Sequence, residues 1–122
     1  LQEIIDLAKR KSIETGRVIG IYPETKHPTY FDTIGLSLEE PLAEVLRRNN
    51  LDDADDPVFV QSFETANLKQ LNKLVNVPLV QLFDEADAQP YDFVVSGDPR
   101  TYGDLTSPKE LAKISEYADG IG

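Results

Sequence analysis

Four short apolar runs, rich in β-branched and aromatic residues, recur along this chain with helical stretches between them. They fall at about 17–23, 57–62, 78–83 and 118–122. None alternates cleanly between polar and apolar, so each predicts a strand buried on both faces. Such strands belong to a parallel sheet with helices packed against it. The intervening stretches read as those helices. Residues 1–14 carry Leu1, Ile4, Ile5 and Ala8 at helical spacing, with Gly16 as the stop. Residues 38–49 place Leu38, Leu42, Val45 and Leu46 on one side. Ser37 with Glu40 offers a capping box there, and Pro41 would serve equally as a first helical residue. Residues 64–75 turn Leu68, Leu71 and Val75 inward. Ser107-Pro108-Lys109-Glu110 is a strong helix start, and the helix runs to about Tyr117.

The predicted order is therefore α-β-α-β-α-β-α-β. Two architectures accept it: an open doubly wound sheet, or part of a (β/α)8 barrel. A dinucleotide-binding half needs a glycine-rich first turn, and none follows the first apolar run. A complete barrel takes ~250 residues. Four units in 122 residues make about half of one, read as a single partial barrel domain over 1–122. Leu1 at the start and the lack of any Met predict a processed or excised piece. Residues 84–106 show no periodicity and are expected to form a long irregular loop, of the kind that is usually functional or mobile. Within it Phe93-Val94-Val95 is expected to pair locally or to pack the loop down.

The formal net charge of −10 argues against a nucleic-acid partner, because phosphate neutralisation needs clustered Lys and Arg. It argues equally against an anionic membrane surface. No apolar run approaches the ~20 residues needed to span a bilayer. With no Cys, thiol nucleophiles, disulfides and zinc–thiolate sites are excluded. Asp52-Asp53-Ala54-Asp55-Asp56 reads as a solvated turn. It fails as a calcium loop, since Val58 stands where the loop needs Gly and Pro57 where it needs a ligand.

The stretch with the most chemistry is Tyr22-Pro23-Glu24-Thr25-Lys26-His27-Pro28. Glu24 and Lys26 are two apart on an extended segment, so both point to the same face at the exit of a buried strand. That face can wall a site in which Glu24 holds a hard cation and Lys26 an anion beside it. Pro28 is expected to end the strand. Gln61 and Gln81 each sit inside an apolar strand, where an amide must find a partner. They either bond a neighbouring strand or face a substrate. Phe63 shares a strand face with Phe59 and Gln61, and either walls a pocket mouth or packs in the core. Tyr91, Phe93 and Tyr102 either touch an alcohol group of a substrate or anchor their loop. His27 reads as a loop residue rather than an acid or base.

Taken in order, the Glu24-x-Lys26 strand end, Val60-Gln61-Ser62-Phe63-Glu64, Pro78-Leu79-Val80-Gln81-Leu82 and Tyr117-Ala118-Asp119-Gly120-Ile121-Gly122 resemble the glycerophosphodiester phosphodiesterase family, in particular its exported, longer-loop branch. The resemblance covers essentially the whole chain. It implies a (β/α)8 barrel that hydrolyses glycerophosphodiesters to glycerol 3-phosphate and an alcohol, with Ca2+ or Mg2+ as cofactor. It implies a small-molecule glycerophosphodiester substrate and a periplasmic or secreted location. In that family three carboxylates hold the metal, two from an E-x-D strand and one from the E-x-K strand. Two His act as acid and base, one of them in an H-R-G motif. The resemblance makes Glu24 the third metal ligand and Lys26 a phosphate contact. This chain has neither H-R-G nor an E-x-D strand followed by His, and His27 lies outside the family's acid–base positions. The expectation is therefore an enzyme in the parent protein, an inactive part of it here, and strand edges open to self-association. The alternatives are a non-catalytic binding or structural module on a degenerate barrel, or another barrel phosphodiesterase such as a phospholipase D-like toxin relative.

Overall fold

The computed structural model describes residues 1–122. The chain opens with α1, Gln2–Thr15, which stops at Gly16 in the left-handed conformation (φ 66°). A left-handed stop of this kind favours Gly, which has no Cβ to clash. Of the apolar side chains in α1, Ile5 is buried, while Ile4 and Ile13 remain 55% and 84% exposed. Its polar side grips the molecule through Gln2, whose amide exchanges hydrogen bonds of 2.9 and 2.8 Å with the Asn49 side chain.

The first apolar run lies beside the sheet as an edge segment, although it does not form a regular strand. Ile21 bridges Val58 and Glu24 bridges Gln61, both parallel and in one constant register. Ile21 N–H donates to Pro57 O at 2.9 Å, and Thr25 N–H donates to Gln61 O at 3.1 Å. Between them stands Pro23, which has no N–H to give, so the ladder is interrupted where the sequence led us to expect continuous strand over 17–23. A Cβ at Gly20 would sit 2.5 Å from Pro57 O, so glycine is what allows this edge its close approach.

Pro28 opens a helix instead of merely ending a strand. It is the first residue of α2, Pro28–Thr33. The next helix, α3, Glu39–Arg48, matches the apolar stripe of Leu42, Ala43 and Leu46. The capping box does not form. Leu38 occupies the cap position, and the Ser37 hydroxyl donates to the carboxylates of Glu39 and Glu40.

Three regular strands follow in parallel and in sequence order: β1, Val60–Ser62; β2, Leu79–Gln81; and β3, Gly120–Ile121. Val60 pairs with Leu79, and Val80 pairs with Gly120. The crossover between β1 and β2 is α4, Thr65–Leu71. The crossover between β2 and β3 holds α5, Tyr91–Ser96; α6, Tyr102–Leu105; and α7, Pro108–Ile114. Residues 84–106 are thus partly helical, and Phe93-Val94-Val95 lies in a helix. Thr101 and Asp104 form a reciprocal capping box that nucleates α6. Ser107 caps α7 through Glu110 N–H, as its sequence predicts. The core lies between sheet and helices. Val58, Val60 and Leu79 meet Leu42 and Leu46 of α3, Leu68 and Leu71 of α4, and Ile114 of α7. The architecture is α/β with a three-stranded parallel sheet.

Candidate functional site

Each of the first three apolar runs is followed by an acidic residue, and the parallel sheet carries these residues to one end of the molecule. Glu24 leaves the edge segment, Glu64 follows β1, and Asp84 follows β2 by a short extension. Ligands of parallel α/β sheets bind beyond the carboxyl ends of the strands. Here that end forms a cleft of about 290 Å³ that Glu24, Lys26, Phe63, Glu64, Asp84 and Tyr91 help to line.

The first wall is held from behind. Glu24 and Lys26 share a face, with Lys26 Nζ 3.8 Å from Glu24 Oε2. The Lys26 side chain is 76% exposed and that of Glu24 only 20%, so the carboxylate is the more fixed partner. Thr25 points the other way and is buried. Its hydroxyl donates to Asn67 Oδ1 at 2.6 Å, and Asn67 Nδ2 donates to Glu39 Oε1 at 2.5 Å. All three side chains lie in the interior, where a satisfied polar chain is rigid because every alternative leaves a group unpaired. The segment between the two charges is therefore pinned to α3 and α4.

Glu64 sits at the cleft floor, almost wholly buried. One carboxylate oxygen accepts the Thr29 N–H at 3.0 Å, which ties α2 to the exit of β1. Burial pushes its pKa up; the hydrogen bonds from Thr29 oppose this, and the Asp92 charge adds to it. Asp92 accepts from the Thr65 hydroxyl and Ala66 N–H at 3.0 and 2.8 Å through one oxygen, while its Oδ1 is buried without a partner. Tyr102 donates to Phe63 O at 3.3 Å. Its pKa is pushed up to about 12, first by burial and then by Asp84, Asp92 and Glu64. His27 holds a left-handed backbone (φ 53°) and sets its ring edge-on to Tyr91 at 5.8 Å. A non-glycine residue there carries local strain, which the Glu64–Thr29 tie helps to hold.

No three His, Asp or Glu side chains come together closely enough to hold a metal ion. Glu24 is an oxygen donor of the right hardness, but the residues of this chain do not close a metal shell.

No family model matches the sequence. Curated relatives do. A glycerophosphodiester phosphodiesterase of Arabidopsis thaliana is 28% identical over 123 residues, covering 91% of this chain and 32% of the relative. One of Haemophilus influenzae is 28% identical over 120 residues, with 88% and 32% covered. One of Treponema pallidum is 28% identical over 117 residues, with 88% and 33% covered. Over most of its length the chain is similar to these glycerophosphodiester phosphodiesterases. It spans about a third of the length of the curated relatives it matches.

Set beside this phosphodiesterase similarity, the residues singled out in the sequence separate into two groups. Glu24, Lys26 and Phe63 line the cleft, as do Tyr91 and Tyr102. Gln61 and Gln81 do not. The Gln61 amide donates to Tyr22 O at 3.4 Å, across to the edge segment. Gln81 is wholly buried, donating to Phe63 O and Leu82 O at 3.1 Å each and accepting from Tyr117 OH at 3.1 Å. Its amide is spent on holding the ends of β1 and β2 together. Phe93 lies in the core. Glu64 and Asp84 were not singled out by sequence reasoning. The signal that could have found them is positional: each is the first acidic residue after an apolar run.

Proposed function

We propose that this chain forms part of the substrate cleft of a metal-dependent glycerophosphodiester phosphodiesterase. The parent protein would hydrolyse glycerophosphodiesters to glycerol 3-phosphate and an alcohol. The scaffold we propose is about half of a (β/α)8 barrel. It is supported by the parallel order, in which the edge segment, β1, β2 and β3 are neighbours in sequence and in space. The observation that carries the reading is the Glu24–Lys26 pair. It stands on the cleft wall at the carboxyl end of the sheet and is pinned from behind by Thr25.

A phosphodiester displacement needs the phosphate charge neutralised, a nucleophile held in line and a proton delivered to the leaving oxygen. Lys26 serves the first need, as a point charge on a flexible stem that can follow a phosphate oxygen. Glu24 offers one ligand toward Ca2+ or Mg2+, a cation that polarises phosphoryl oxygens when bound; the remaining ligands would come from other parts of the protein. Acid and base also lie elsewhere, because His27 is the one histidine and its ring packs on Tyr91. The isolated 122-residue chain is accordingly expected not to turn over. The resemblance to the exported branch supports a periplasmic or secreted setting. No helix is long and apolar enough to cross a membrane.

The test is glycerol 3-phosphate release from glycerophosphocholine with Ca2+ or Mg2+, in the longer protein and in its Glu24→Gln and Lys26→Ala variants. Loss in both variants supports the assignment. Full activity in both would overturn it, as would metal-dependent, saturable turnover by the isolated chain.

A further inference from the structure

Thr25 stands between the two charges of the cleft wall. On extended chain its side chain faces opposite to those of Glu24 and Lys26. Whatever holds Thr25 inward therefore sets the direction in which both charges point. The backbone alone holds it lightly. The Thr25 N–H donates to Gln61 O at 3.1 Å, and its carbonyl takes only a long hydrogen bond, 3.5 Å, from the Ser62 hydroxyl. Past this rung the chain turns through the left-handed His27 into α2. The side chain has a deeper line of support. The Thr25 hydroxyl donates to Asn67 Oδ1, Asn67 Nδ2 donates to Glu39 Oε1, and Glu39 Oε2 accepts the Leu38 N–H at 3.1 Å. Glu39 and Asn67 are 1% and 3% exposed, and neither lines the cleft. The Asn67 amide fits this line in one sense only. Reversed, it would set its oxygen against the Glu39 carboxylate, acceptor against acceptor. A buried carboxylate that loses a donor is costly, so the amide stays as it is.

From this geometry we infer that Asn67 and Glu39 are positioning residues for the cleft reaction. Acting through Thr25, they fix the direction and separation of Glu24 and Lys26 without touching substrate. A displacement of about 1 Å in a group that orients a reaction can cost about 100-fold in rate. Lys26 has a long, exposed stem with which to recover its place, whereas Glu24 is shorter and mostly covered, so Glu24 depends on the line more. The inference deepens the phosphodiesterase reading. It rests on that reading for the reaction served, and on the buried line alone for the geometry.

The test exchanges donor and acceptor within the buried pair, in the longer protein. Asn67→Asp alone sets two carboxylates against each other. Combined with Glu39→Gln it restores the pair in reverse, with the amide now on α3, the Thr25 hydroxyl still given an acceptor and the net charge unchanged. Glycerol 3-phosphate release from glycerophosphocholine, per folded molecule and below the melting temperature, should fall by about 10–100-fold in Asn67→Asp and largely return in the double variant. Thr25→Val should fall in the same way, and Thr25→Ser, which keeps the hydroxyl, should retain most of the rate. Amide hydrogen exchange at Thr25 reads the geometry without any turnover. It should quicken by about tenfold in Asn67→Asp and Thr25→Val and slow again in the double variant and Thr25→Ser. A lower melting temperature in Asn67→Asp with unchanged release per folded molecule would overturn the inference, since it leaves a role in stability alone. A double variant no better than Asn67→Asp would overturn it too. Where Asn67→Asp does not fold, Thr25→Val against Thr25→Ser decides by the same two readouts. If the parent protein releases no glycerol 3-phosphate, the phosphodiesterase reading fails, and the exchange pattern alone supports or overturns the positioning.

Discussion

Two clusters of charge in this molecule meet aromatic rings, and they use their charges differently. Around Arg100 everything is spent. Its guanidinium bonds Asp98 at 2.6 Å and Glu110 at 2.7 Å, Lys113 reaches Glu110 at 2.6 Å, and the Arg100 plane lies 4.7 Å over the Phe93 ring. The Arg100 hydrogen bonds hold the Asp98 pKa down to about 2. At the cleft the charges are left over. Glu24 and Lys26 approach only to 3.8 Å, and burial drives the Glu64 pKa upward. Charges that satisfy one another hold a loop to a helix. Charges gathered around open volume without mutual satisfaction define a place for something else, and perturbed groups in clefts mark functional sites for this reason.

The sharpest way to break this comparison is to change one charge in each cluster. In the proposed phosphodiesterase, Glu24→Gln keeps the shape and removes the charge of the proposed metal ligand, so glycerol 3-phosphate release should fall by about 100-fold or more with little change in melting temperature. Arg100→Ala should do the opposite. Melting should drop by about 2–5 °C, because a part-exposed ion network contributes modestly, while activity per folded molecule stays near that of the parent. If Arg100→Ala costs more activity than Glu24→Gln, the division into structural and functional charge is wrong.

A second measurement divides the cleft pair itself. Lys26→Ala should lower turnover by about 10–100-fold and raise KM for the diester, while Ca2+ affinity moves less than in Glu24→Gln. The role proposed for Lys26 is to contact the phosphate, and that proposed for Glu24 is to face the metal. Equal loss of metal affinity in both variants would mean that they act as one unit.

The scaffold was far more legible than the site. The α1, α3, α4 and α7 segments, and the strands that became β1, β2 and β3, follow from apolar spacing and from caps such as Ser107-Pro108, because burial and backbone satisfaction are local and periodic. The edge segment was legible in place but not in regularity, since one Pro23 removes the donor that continuity needs. The α2 helix was missed because Pro28 both ends extended chain and starts helices, and Glu64, 35 residues away in sequence, supplies the carboxylate that accepts its Thr29 N–H. Glu24 and Lys26 were visible because their two-residue spacing has a local meaning. Glu64 and Asp84 were not, because their convergence exists only once strands far apart in sequence lie side by side. Gln81 shows the reverse error. Its place in an apolar run invites a substrate role, and only the fold reveals Tyr117 and the Phe63 carbonyl as partners that use up its amide.

The open side of the molecule offers a smaller effect. Ile4 and Ile13 of α1, with Val18 and Tyr22 of the edge segment, expose apolar side chains on this side. The isolated chain is expected to self-associate through it in a discrete way, because a net charge of −10 opposes indiscriminate aggregation. Light scattering over a dilution series should show a concentration-dependent mass, and Val18→Lys should reduce it. A monomer at high concentration with a sharp cooperative melt would show that this face needs no cover.

The smallest effect, and the one that returns to the two clusters, is the sign of their pH dependence. Asp98 has a folded pKa below its ordinary value, so it stabilises the fold above its unfolded pKa near 3.8 and loses that contribution as pH falls toward about 2. Glu64 has a folded pKa above 4.5, so the folded state prefers its protonated form; that contribution is full in acid and is lost as pH rises through the raised value. Glu64→Gln retains an oxygen for the Thr29 N–H and removes the ionisation. The variant should therefore melt slightly higher than the parent at pH 7, by about 1–2 °C, with the advantage gone by pH 4. Arg100→Ala should instead be most costly at pH 7 and least costly near pH 2, where the Asp98 carboxylate is losing its charge in the parent as well. Parallel melting curves over pH 2–7 for the parent and both variants decide the matter. Opposite slopes are expected, and a Glu64→Gln penalty that is constant with pH would mean that the buried carboxylate is compensated in a way the cleft geometry does not convey.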